Sequence, residues 1–171
     1  MKRKNLFFAS ALILFGLATV NSVKAQPPVT ATANASATIV TPISITKVTD
    51  LNFGAIVPST EAGTVIVGND NSISKTGGVT LISQLGTHSA AAFTVNGAAN
   101  ATFYIVPPTT VTLTKTSSTE TMTVSNFYHN ATGTLDGTGA EAFNVGATLA
   151  VAASQVAGVY TGTFDVTVAY N

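Results

Sequence analysis

The chain has 171 residues, with seven lysines and arginines against seven acids, two histidines, and neither cysteine nor tryptophan. Charged residues are only 8% of it, which leaves few side chains for acid–base chemistry, and the absence of cysteine excludes a disulfide framework. Lys2, Arg3 and Lys4 precede an apolar run over residues 6–20, with Val23 and Ala25 at cleavage positions, so residues 1–25 read as an export signal.

Cleavage after Ala25 leaves 146 residues (171 less 25), read as one domain over residues 26–171. Lys47, Lys75 and Lys115 then face Asp50, Glu61, Asp70, Glu120, Asp136, Glu141 and Asp165, three cations against seven anions, for a formal charge of −4. With no arginine left, nucleic acid has no electrostatic footing. The apolar run is too short and too soon interrupted to read as a membrane span, and none is expected in the mature chain.

From the new N-terminus, residues 30–40 alternate Ala31, Ala33, Ala35, Ala37 and Ile39 against Thr32, Asn34, Ser36 and Thr38, which predicts a strand with an alanine face. Pro42 punctuates it, Ile43 and Ile45 resume the alternation, and Leu51, Asn52, Phe53 and Gly54 end the segment in a bend. Val65, Ile66 and Val67 form a short apolar run, and Asn69, Asp70 and Asn71 are turn chemistry. Gly77-Gly78 reads as a turn into a strand over 79–83. Further strands are expected at 91–95, 101–106, 110–114, 121–127, 142–145 and 148–151, separated in part by Asn96-Gly97 and Pro107-Pro108.

Residues 152–157 offer the one short stretch with helical potential. Residues 158–171 predict an unbroken closing strand, with Tyr160, Phe164, Val166, Val168 and Tyr170 inward and Thr161, Thr163, Asp165, Thr167 and Asn171 outward. Turn signals recurring every eight to twelve residues or so indicate an all-β sandwich. An outer-membrane barrel would need bulky outward faces and aromatic girdles, where this chain sets alanine against threonine.

Chemistry-bearing constellations are sparse. Ser125, His129 and Asp136 are the nearest set to a catalytic triad, but spacing alone does not make one. Asp136 and Glu141 flank a glycine-rich turn and lack the rigid frame that paired carboxylates need. The Asn69–Asp70–Asn71 cluster lacks the acidic density of a calcium loop, and an Asx turn explains it. Asn34, Asn100 and Asn130 fit the N-glycosylation pattern, as chance allows in a threonine-rich chain. Tyr104, Phe127 and Tyr128 could stack on a sugar or pack in a core or interface. No enzyme activity, metal or cofactor is expected.

Several phrases occur together in order: Leu51-Asn-Phe-Gly54, Phe93-Thr-Val-Asn-Gly97, Ile105-Val-Pro107, Val111-Thr-Leu-Thr114, Met122-Thr-Val124, Val145-Gly-Ala-Thr-Leu149 and the closing strand from Gly158 to Asn171. Together they resemble the bacterial secreted family of domain of unknown function 4402, which is similar to spore coat protein U and to archaic chaperone-usher pilins. The resemblance implies an incomplete immunoglobulin-like, pilin-like antiparallel sandwich completed by a donated strand.

It further implies an exported structural or adhesive subunit in the periplasm, at the cell surface or outside the cell. Its expected partners are further copies of itself or a periplasmic chaperone. The candidate donor residues are Ala31, Ala33, Ala35, Ala37 and Ile39, and the edge beside the missing strand carries Tyr160, Phe164, Val166, Val168 and Tyr170. Such a donor would ordinarily carry bulkier side chains. The alternative is a self-contained glycan- or ligand-binding module using Tyr128, His129 and Asp136.

Overall fold

The computed structural model describes residues 24–171, so the proposed export signal lies outside the described residues except for Lys24 and Ala25. The strands are β1 (Ser44–Thr49), β2 (Asn52–Phe53), β3 (Ile56–Val67), β4 (Ile73–Leu81), β5 (His88–Ser89), β6 (Ala91–Asn96), β7 (Phe103–Val106), β8 (Thr110–Lys115), β9 (Thr121–His129), β10 (Ala140–Val151), β11 (Tyr160–Thr161) and β12 (Thr167–Tyr170). All their pairings are antiparallel, and no helix occurs among the described residues. The protein is an all-β sandwich, as its alternation and turn spacing require.

β10 organises the fold. Val145 pairs with both Ala91 of β6 and His129 of β9, so those strands flank it on opposite edges. Residues 147–151 pair with β3 and, in part, with β9. β6 and β3 therefore follow one another along a single edge of β10, and β9 takes the other. From this hub the ladder extends through β6 to β1, through β3 to β4, and through β9 and β8 to β11. β12–β7 and β2–β5 form two separate two-stranded ladders.

Residues 142–145 and 148–151, expected as two strands, are one, and Gly146 makes the joint possible. A side chain there would come 2.4 Å from the Val67 carbonyl oxygen and 2.7 Å from the Asn69 nitrogen, so only glycine lets the end of β3 pass this close. Gly77-Gly78 is likewise not a turn but lies within β4, beside an irregular register between Pro58 and Gly63 of β3. Gly77 has φ +66°, and an added Cβ would meet the Ala62 carbonyl at 2.3 Å. The true turn is the expected Asn69–Asp70–Asn71, where the Asp70 carboxylate accepts the Ser72 N–H (3.0 Å) and hydroxyl (2.6 Å).

Two apolar clusters fill the interior. One gathers Val65, Val67, Met122, Val124, Leu149 and Val151; the other gathers Phe93, Val95, Phe103, Leu135, Phe143 and Val145. Leu51 and Phe127 pack against both. The outer face explains the abundance of threonine, since Thr112, Thr123, Ala150, Thr64 and Thr76 stand in register across five strands. The hydroxyls of Thr64 and Thr76 bond at 2.8 Å, and branched side chains suit this exposed pleat.

Three expectations are corrected. Residues 152–157 form no helix; the Ser154 N–H instead donates to Ser59 (2.7 Å) with φ +52° at Ser154. Residues 30–40 form no strand: alternation describes a face, but a strand also needs an edge to bond to. The closing strand is not continuous, because β11 pairs with β8 while β12 pairs with β7, and residues 162–166 cross between them outside any strand. An added Cβ at Gly162 would meet the Thr112 carbonyl at 2.7 Å, which marks how closely the crossing segment passes β8.

Candidate strand-accepting groove

The alternation of the C-terminal residues survives the break in pairing. Tyr160, Phe164, Val166, Val168 and Tyr170 are all half-buried, whereas Thr161, Thr163, Asp165 and Thr167 are exposed. Tyr160 packs against the first cluster and the other four against the second. Phe164 anchors the crossing segment, its ring centroid 5.2 Å from that of Phe127 and 6.5 Å from that of Phe93.

Beside this segment lies a groove of about 610 Å³. One rim is residues 51–56 with Pro58, and the other is residues 155–162 with Phe164. Val111, Leu113, Met122, Val124, Leu149 and Val151 supply its floor, and no charged side chain lines it. Its rims carry spare backbone capacity: β2 pairs only with β5, and β11 only with β8. Unpaired edges over an apolar floor are what an added strand needs, hydrogen bonds at its sides and side-chain sites beneath alternate residues.

β1 and β12 approach each other without a ladder between them. Here the Tyr170 hydroxyl donates to the Thr41 carbonyl (2.8 Å) and accepts the Ala98 N–H (2.6 Å). A Cβ on Gly97 would fall 2.2 Å from that oxygen, so the turn after β6 makes room for the contact by being glycine. Tyr170 thus ties the C-terminal strand to the approach to β1. Its inward direction follows from the sequence, but its two partners, 72 and 129 residues away, do not.

The other candidate residues are not assembled. Ser125 is paired with Thr148 on the outer face of β9, whereas His129 is opposite the buried Val145 and points inward. Asn126 (φ +51°) lies between them at a register irregularity. The His129 ring meets Phe143 edge-on at 6.0 Å, with its Nδ1 buried and unpartnered. The Asp136 carboxylate accepts the Thr138 N–H (2.8 Å), the Thr138 hydroxyl (2.7 Å) and the Ala140 N–H (2.9 Å). The Thr138 hydroxyl, and after it the Ala140 N–H, hold its pKa below the ordinary carboxylate range.

Glu141 serves a different loop, accepting the Thr132 N–H (2.5 Å) and hydroxyl (2.9 Å). Asp136 and Glu141 therefore brace two turns and form no carboxylate pair. Tyr128 faces outward, opposite to His129, and donates to the Val67 carbonyl at 3.3 Å, while Tyr104 stands on β7 in another ladder. Tyr128 and His129 consequently lie on opposite faces of β9. Among the described residues no group of three or more His, Cys, Asp or Glu side chains is placed to hold a metal, and no helix is long and apolar enough to cross a membrane.

Fold and groove together define an all-β domain with an open apolar seam. Residues 43–170 match the family described as domain of unknown function (DUF4402), and the chain belongs to that family. The match begins one residue before β1, so the alanine-faced segment precedes the shared domain. No curated protein and no solved structure matches the chain.

Proposed function

We propose that this protein is an exported, non-enzymatic structural or adhesive surface subunit that assembles by strand exchange. Residues 30–40 of one copy add a strand to the groove of the next. The observation that carries this reading is the uncharged apolar groove between two rims with unpaired backbone edges. Residues 26–43 carry no charge either, and residues 30–40 within them alternate in period two and form no strand of their own. Ile39 within this segment is 98% exposed.

On this reading the sandwich is an immunoglobulin-like, pilin-like fold lacking one strand, and a periplasmic chaperone would cover the seam until assembly. A head-to-tail contact of this kind is heterologous and builds open chains. The test is the size distribution of the mature chain, residues 26–171, by light scattering, with and without residues 26–40. Concentration-dependent oligomers that vanish on deletion support the proposal. Oligomers that persist after deletion, or a strictly monomeric mature chain, refute it.

A further inference from the structure

Given strand exchange, we infer that the groove selects a strand with small side chains, so that the alanines at 31, 33, 35 and 37 match it and bulky residues are rejected. The middle of its floor is tightly packed in the absence of an occupant, with Val124 2% exposed, Leu149 3%, Val151 3% and Met122 8%, while Val111 and Leu113 are half-buried. A side chain reaching down between them would have to displace packed atoms, and interiors at crystal-like density resist that.

An added strand sits about 4.8 Å from each neighbour and places alternate residues toward the floor. A methyl group covers such a floor without penetrating it. Residues 31–37 present four alanines over seven positions, a run comparable in length to the rim of residues 51–56 with Pro58. The opposite face of the segment, Thr32, Asn34 and Ser36, would continue the uncharged hydroxyl-rich exterior of the sandwich. Bulk at Ala33 and Ala35, in the middle of the seam, is the most damaging.

The experiment measures binding of fluorescent peptides of residues 28–40 to the dilute mature chain by anisotropy. The wild-type peptide is expected to bind, and the A33L/A35L peptide to bind about tenfold or more weakly. Met122→Ala in the protein, which opens the floor, is expected to restore the leucine peptide selectively. A leucine peptide that binds the unaltered protein as tightly as the alanine peptide, or more tightly, overturns the small-residue preference and leaves strand exchange standing. If neither peptide binds, strand exchange itself fails and the preference falls with it.

Discussion

Replacing Tyr170 by phenylalanine keeps the ring against the second cluster and removes only the hydroxyl. Two contacts go with it, the bond donated to the Thr41 carbonyl and the one accepted from the Ala98 N–H. The first is exposed, so water replaces the lost donor and its loss costs little. The second is partly buried, and the Ala98 N–H is left facing the space beside Gly97 without a partner. An unpartnered donor costs about 1–3 kcal/mol when buried, and partial access to water brings the expected destabilisation to about 1–2 kcal/mol. For a domain of this size that is a fall in Tm of about 2–8 °C. Urea unfolding at a concentration too low for self-association measures it, with an unchanged m-value. Tyr128→Phe is the control, since it loses one 3.3 Å bond at a half-exposed site and should shift stability by less than about 0.5 kcal/mol. A Tyr170→Phe effect no larger than that control would refute the assignment of Tyr170 as a tie between the C-terminal strand and the approach to β1.

Gly146→Ala should destabilise by about 1–3 kcal/mol in the same assay, because the new methyl meets backbone of β3 and the following turn that cannot move aside. Leu149→Ala should cost about 2–5 kcal/mol as a core truncation, whereas Lys47→Ala should stay within about 0.5 kcal/mol, since the Lys47–Asp50 pair is exposed on both sides. Hydroxyl and amide donors hold Asp70, Glu120 and Asp136 below their ordinary values of 3.8, 4.5 and 3.8. A depressed carboxylate contributes stability above its unfolded pKa that is lost as pH falls through the folded one, so urea midpoints should fall below about pH 4. Asp136→Asn should flatten part of that slope.

Composition and alternation were sufficient to read the all-β class, and turn chemistry marked the ends of several strands. The Asn69–Asn71 turn follows from local hydrogen bonding within the segment, so its residues reveal it directly. Glycines are ambiguous in sequence where their role is set by a neighbouring strand. Gly146 looks like a break between two strands and Gly77-Gly78 like a turn, yet both serve close passage of a neighbouring strand. No window of sequence contains the neighbour. Ser125 and His129 fail to come together for a related reason: a register irregularity at Asn126 decides which face each takes, and that depends on pairing with β10, while the Asp136 carboxylate is committed to its own turn.

The C-terminal residues divide the two kinds of information most clearly. Alternation alone determined that Tyr160, Phe164, Val166, Val168 and Tyr170 share the inward side, because successive side chains of an extended chain point in opposite directions wherever it runs. The tertiary structure decided that this one segment serves two ladders and crosses between them beside an open groove. It also decided that the alternation at residues 30–40, as regular on paper, makes no strand here. A face is a property of the chain, whereas a strand is a property of a chain and a free edge, and only the fold determines which edges are free.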